Sequence, residues 1–87
     1  MKKQELIKIF SEAIICNKLR ICVSVKIKGN EDPELIINFR SNFASKLVYY
    51  EKAYNDDLEL ISNPDIKIEG CVAFDEFSDL EEELKFR

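Results

Sequence analysis

The carboxylates are the residues whose types and spacing invite chemistry in this chain. Asp75, Glu76, Asp79, Glu81, Glu82 and Glu83 crowd into nine residues, and Glu51, Asp56, Asp57 and Glu59 form a looser group ahead of them. Two carboxylates can do general acid–base work without histidine when burial or a neighbouring like charge raises one pKa. That chemistry needs a concave pocket in which two acids face each other. The acids here surround a short terminal helix with little apolar cover, where water screens them. They read as a solvated acidic face, not a catalytic dyad.

The other chemistries lack their residues. There is no His, and Cys16, Cys22 and Cys71 have neither a C-x-x-C nor any other ligand spacing, so no metal set is formed. An odd number of irregularly spaced cysteines also gives no disulfide framework; three buried or half-buried thiols in a reducing cytoplasm are expected. A thiol nucleophile or a serine triad would need a base, and the usual one is missing. The acids do not follow the alternating pattern of a calcium loop, and two glycines, Gly29 and Gly70, cannot build a phosphate cradle. No catalytic residue, metal or cofactor is assigned, and the chain is expected not to be an enzyme.

Charge is more informative. Residues 1–50 carry nine Lys/Arg against five Asp/Glu, a balance of +4, whereas residues 51–87 carry four against twelve, a balance of −8. The two halves can interleave in the fold and cancel. Alternatively, the basic strand face of one subunit meets the acidic end of another. In a third reading the acids occupy a nucleic-acid-binding site on another protein by imitating phosphates, since carboxylates attract the same Lys and Arg side chains. Direct nucleic-acid binding is not expected of an acidic chain without a basic helix or an aromatic RNA-binding motif.

The elements that must position these residues follow from periodicity. Lys2 to Lys18 reads as an amphipathic helix, with Leu6, Ile7, Ile9, Phe10, Ala13, Ile14 and Cys16 within one half-circle and only Ile15 misplaced. Arg20 to Lys28 alternates, Ile21, Val23, Val25 and Ile27 pointing to a core and Cys22, Ser24, Lys26 and Lys28 to a wetter, basic face. Turn residues from Gly29 to Pro33 lead into a strand from Leu35 to Phe39, which predicts an antiparallel hairpin. Ser41 or Asn42 suits the N-cap of a central helix whose stripe is Phe43, Ala44, Leu47, Tyr50, Tyr54 and Leu58, with Tyr49 at its edge. That helix ends near Asn55-Asp56-Asp57, where the side chains offer local hydrogen bonds.

Leu58 to Ile61 is read as a short strand, with an extra helical turn as the alternative, and Asn63-Pro64 as a turn. From Ile66 to Phe74 the even positions Ile66, Ile68, Val72 and Phe74 share a face, with Gly70 allowing a bulge or close backbone approach. Ser78 to Glu81 fits a capping box opening a short helix from about Asp79 to Lys85. The order predicts one α+β domain over residues 1–87: an N-terminal helix, an antiparallel β-hairpin, a central helix, further strands in the same sheet and a short C-terminal helix. The interrupted apolar stretch at the N-terminus is not expected to act as a leader peptide, and no run reaches the length of a membrane span. Bacterial host cytoplasm is the expected location.

The stretch from Pro33 to Gly70 resembles a set of small proteins found in phages and mobile elements of low-GC Gram-positive bacteria. The residues that carry the resemblance are Glu34-Leu-Ile-Ile-Asn38, Lys46-Leu-Val-Tyr-Tyr50, Ala53-Tyr-Asn-Asp-Asp-Leu58 and Asn63-Pro-Asp-Ile-Lys-Ile-Glu-Gly70. The resemblance implies an accessory role in a phage or prophage. Compact acidic proteins of this kind include anti-CRISPR and other anti-defence inhibitors, which supports the phosphate-imitating reading by analogy; the expected partner of that reading is a protein with a basic surface, such as a nucleic-acid-binding host defence protein. The expected contact residues are the ten acids named above, with Tyr49 as an aromatic anchor. The alternative is a homo-oligomeric, dimeric for example, structural or replication-accessory protein joined through the wet face of the first strand or an exposed edge.

Overall fold

Strict alternation in Arg20–Ile27 (β1) makes it the strand around which the rest assembles. The computed structural model describes residues 1–74, and in it β1 pairs antiparallel on one side with Glu34–Phe39 (β2) and on the other with Asn63–Phe74 (β4). The two-residue strand Glu59–Leu60 (β3) pairs with β4, giving a four-stranded sheet in the order β2-β1-β4-β3. The hairpin between β1 and β2 turns at Gly29, whose φ of 94° suits a residue without a Cβ. Asn30 N–H donates to Ile27 O across that turn at 3.0 Å, and Lys26 Nζ holds the loop by donating to Glu31 O at 3.0 Å.

Two helices pack on one face of this sheet. The first, Lys3–Ile15 (α1), buries Leu6, Phe10 and Ala13, one side of the helix at spacings of four and three. It closes with Asn17 in the left-handed region at φ 63°, while Lys18 N–H donates back to Ala13 O at 2.9 Å, a Schellman-type ending. The apolar half-circle expected from sequence is too wide. Ile14 and Cys16 flank the buried stripe and are exposed, as is Ile15, because the contact with sheet and second helix covers only the central stripe.

The second helix, Phe43–Ala53 (α2), follows a single 3₁₀ turn over Arg40–Asn42. Asn42 occupies the cap position without the expected side-chain cap bond. Its φ of −108° and ψ of −1° already lead into the helix, so its side chain is not presented to the first amides. Phe43 and Tyr50 are buried and Leu47 partly so, whereas Ala44, expected in the stripe, is exposed. Phe10 of α1 meets Phe43 and Tyr50 edge-on, at ring centroid distances of 6.1 and 5.6 Å. Together with Ile21, Val23, Val25, Ile68, Cys71, Tyr54 and Leu58 these residues form the main core. The α+β architecture is thus a layer of two helices on an antiparallel sheet. The expected C-terminal helix lies outside the described residues.

Two readings of β4 are corrected. The turn before it falls at Ile61-Ser62, so Asn63 and Pro64 already belong to the strand; Pro64 is tolerated near its start. The even positions also do not share one face. Val25 pairs with Ile68 but Ser24 pairs with Gly70, so Glu69 is an extra residue and a bulge interrupts the ladder. Ile66 and Ile68 therefore face the helices before the bulge, and Cys71 and Ala73 do so after it. Val72 and Phe74 turn to the opposite face. A Cβ on Gly70 would meet Ser24 Cβ at an ordinary 3.7 Å, so the bulge, not close approach, is what this segment needs.

The opposite face of β1 also differs from expectation. Cys22 and Ser24 are buried, and Cys22 clusters with Phe74, Leu35 and Ile37, because β2 and β4 each turn apolar side chains to this face. Toward Lys26 and Lys28 it is wet and basic, and Arg20 stands on the same face at the other end of the strand.

The register makes a specific prediction. Deleting Glu69 heals the ladder and keeps every later residue on its present face, so the variant retains a cooperative urea transition. Deleting Val72 instead drives Phe74 toward the helices, and overpacking alone costs about 1–3 kcal/mol. Comparing the two urea midpoints checks the bulge.

Candidate interaction surface

The described acids of the expected surface lie around the corner between α2 and β3, and one residue shapes that corner. Asn55 Oδ1 accepts the Asp57 N–H at 3.0 Å and the Glu59 N–H at 2.9 Å. Its Nδ2 donates to Glu59 Oε1 at 3.1 Å, and its own N–H donates to Glu59 O at 2.9 Å. An Asx-type turn of this kind replaces the helix ladder once α2 ends. It also lets Leu58 adopt a left-handed φ of 60°, uncommon for a residue with a branched side chain. Leu58 is 0% exposed, its N–H donates to Asn55 O and its O accepts from Ile68 N–H, each at 2.9 Å, so core burial and two backbone bonds hold the conformation.

The corner raises Asp56 and Asp57 into solvent and sets them beside the start of α1. Lys2 Nζ pairs with Asp57. Lys3 N–H donates to Asp56 O at 2.9 Å, and Lys3 Nζ donates to Glu51 O at 2.7 Å. The hydrogen bond from Lys2, and then its charge, hold the Asp57 carboxyl below the usual carboxylate range, while the same contact raises the Lys2 ammonium. Both side chains are open to water, so the pair is weak and salt-sensitive.

Of the residues assigned from sequence, Asp56 and Asp57 sit together, and Glu51 lies one step back on α2 with its carboxylate exposed. Glu59 is half-buried and committed to Asn55, so it belongs to the scaffold of the turn and not to a contact surface. Tyr49 is 48% exposed, as expected of an edge position. Its ring packs edge-on against Tyr50 and Tyr54, and Lys46 Nζ lies 5.6 Å from its centroid. Asp75, Glu76, Asp79, Glu81, Glu82 and Glu83 lie outside the described residues. Sequence reasoning placed Asn55 at the end of the helix as a source of local hydrogen bonds, which it is, but missed Lys2 and Lys3. An Asn ahead of two Asp is a legible Asx-turn signal; the two lysines, more than fifty residues from their partners, leave no local one.

A depression of about 210 Å³ beside this corner is lined by Lys2, Lys3, Gln4 and Asp56. It contains one carboxylate, not two facing each other. The thiols do not supply a nucleophile there. Burial pushes the Cys71 thiol up to about 12, and Cys16 stands alone at the exposed end of α1. Burial likewise pushes the Tyr50 phenol up to about 12 against a lowering effect of the Asn38 amide.

The basic and acidic halves of the sequence interleave at this corner, and the meaningful charge boundary lies elsewhere. Residues 1–74 carry eleven Lys/Arg and eleven Asp/Glu, and residues 75–87 carry two and six. The whole net charge of −4 therefore belongs to the last thirteen residues. No helix among the described residues is long and apolar enough to cross a membrane. Compared with protein-family models, curated proteins and solved structures, the chain matches none.

Two measurements probe the corner and the core beneath it. Asn55→Ala strands two amides and a carboxylate oxygen and costs about 1–3 kcal/mol, with faster hydrogen exchange at Asp57 and Glu59. In alkali, the unfolded chain releases the Cys71 proton near its ordinary value of 9.0 and the folded one only near about 12. Stability is thus complete below pH 9 and falls as pH rises toward 12. Cys71→Ala reduces the fall in the urea midpoint between pH 9 and 10, where Tyr50 and Tyr54, ordinarily at 10.0 and also raised by burial, supply the smaller remaining part.

Proposed function

We propose that this chain is a non-enzymatic accessory protein of a phage or prophage that acts in the bacterial host cytoplasm by binding another protein. The partner presents a basic, nucleic-acid-handling surface, and the chain occupies it by imitating phosphates, in the manner of an anti-CRISPR or other anti-defence inhibitor. The observation that carries this reading is the charge partition: a body of eleven cations and eleven anions joined to a thirteen-residue end holding six acids. Carboxylates at that density attract Lys and Arg side chains that otherwise neutralise a nucleic-acid backbone, and they raise the encounter rate with such a surface. Asp57, paired with Lys2, and Asp56, which also feels the Lys2 charge, contribute less than the terminal acids, and Tyr49 supplies an apolar contact beside them.

The test is a pull-down from nuclease-treated host lysate at two salt concentrations. Duplex DNA serves as competitor, and in the variant Asp75, Asp79, Glu76, Glu81, Glu82 and Glu83 are changed to their amides. Recovery of nucleic-acid-binding proteins is expected to fall by about tenfold or more in the variant, in high salt and on adding DNA. Equal recovery by the variant, or indifference to DNA, overturns the reading.

A further inference from the structure

The outermost strands of the sheet are unlike. At one end β3 is two residues long and shifts in register between Glu59 and Leu60, a short and irregular edge of the kind that discourages further pairing. At the other end β2 keeps its ladder to β1 from Glu34 to Phe39 without a shift. Between Glu34 and Arg40 the chain reads Leu-Ile-Ile-Asn-Phe, with no charge, proline or glycine. A regular, uncharged edge of this kind is a template for another strand.

Hydrogen-bond phase identifies the backbone groups this template offers. Arg40 N–H donates to Leu19 O at 3.2 Å, so Arg40 turns its amide toward β1. Phe39 is extended, at φ −96° and ψ 155°, and in extended backbone successive residues aim their N–H and C=O groups to opposite sides. Asn38, Ile36 and Glu34 therefore bond to β1, while Phe39, Ile37 and Leu35 aim theirs away from the sheet. The far side of β1 agrees: Lys28 N–H donates to Asp65 O of β4, and the same alternation turns Val25 toward Glu34. Among the described residues, no backbone hydrogen bond reaches the outward row of Leu35, Ile37 and Phe39.

We propose that the β2 edge pairs with the β2 edge of a second copy of this chain, antiparallel about a two-fold axis at Ile37. In that register Ile37 meets Ile37 and Leu35 meets Phe39 of the other copy, so every outward N–H and C=O of the row finds a partner. A slide of two residues one way sets Phe39 opposite Pro33, which has no N–H to give; the other way sets Leu35 opposite Ser41, already in the 3₁₀ turn. Charge selects the same arrangement. Glu34 of each copy faces Arg40 of the other; both side chains are exposed, and neither has an ion-pair partner among the described residues. Within one chain the two are separated by about 20 Å of extended strand and do not answer each other.

Side chains match as well. Leu35 lies beside Phe39, which is 49% exposed in the single chain, and Ile36, 36% exposed, lies beside Asn38 on the helix side. A strand with an acid at one end, a base at the other and apolar residues between is complementary to its own reversed copy, which is what a two-fold interface requires. Pairing joins the two sheets into one continuous sheet with all the helices on one face. It is independent of any partner for the terminal acids, which none of the variants below alters.

Sedimentation velocity of the full chain at concentrations up to roughly 300 μM is expected to show a reversible dimer, and a monomer throughout overturns the proposal. Ile37→Pro removes an outward N–H and leaves the bonds to β1 in place, so it is expected to raise the dimer Kd by about tenfold or more. Arg40→Glu sets two acids against each other across the interface and is expected to weaken the dimer by about tenfold as well. Adding Glu34→Arg to that chain restores opposite charges and is expected to restore the dimer, an outcome that a general loss of folding does not produce. A dimer indifferent to Ile37→Pro and Arg40→Glu, or a charge reversal that Glu34→Arg does not rescue, overturns the proposal. In a mixture of differently isotope-labelled chains, nuclear Overhauser contacts between Leu35 of one copy and Phe39 of the other are expected; a dimer without them overturns the register.

Discussion

Side chains alternate across a strand with a period of two, so a single unpaired residue inverts the facing of everything that follows it. In β4 that residue is Glu69, between the Val25–Ile68 and Ser24–Gly70 pairs. Without the bulge, a β4 aligned through Ile66 and Ile68 would send Val72 and Phe74 toward the helices and Cys71 and Ala73 away from them. With it, the small residues Cys71 and Ala73 meet the helical layer, and the larger Phe74 is directed to the other face. The main core and the secondary cluster around Cys22 both depend on this switch. The exit point of the acidic segment depends on it too.

The corner after α2 is a second constraint, made from polar contacts where the bulge is made from register. Asn55 replaces helical hydrogen bonds with its own side chain, which allows Leu58 to enter the core from a left-handed backbone. The acids of this corner are therefore held out by the same contacts that pull Leu58 in. Their exposure is a consequence of folding and does not by itself mark a binding site. Lys2 and Lys3 lie against them because the start of α1 packs beside the end of α2.

This arrangement changes how the charge is understood. Dividing the chain at its midpoint makes it look like a molecule with a basic half and an acidic half. Folding brings Lys2 to the Asp57 carboxylate and the start of α1 to the backbone of Glu51 and Asp56, and it sets Lys67 opposite Glu59 in the β3–β4 register, so cations of the first half and acids of the second share one corner of the body. What survives is the excess in the last thirteen residues. A functional reading based on acidity thus rests on that segment, with the corner near Tyr49 as a flank.

Local periodicity made much of the fold legible. The alternation of β1, the hairpin at Gly29, the stripe Phe43-Leu47-Tyr50 and the brief strand near Leu58 are each written within a few consecutive residues, and such short-range patterns are what backbone geometry selects. The α+β class followed from their order. The parity of β4 after Glu69, the left-handed turn at Leu58 and the burial of Cys22 and Ser24 were decided by tertiary structure. Each depends on a neighbouring strand or helix far away in the chain, and no window of sequence contains both partners. For the same reason the sequence by itself determined how many acids the chain carries and where they cluster, while the packing of α1 beside α2 determined which of them a cation already meets.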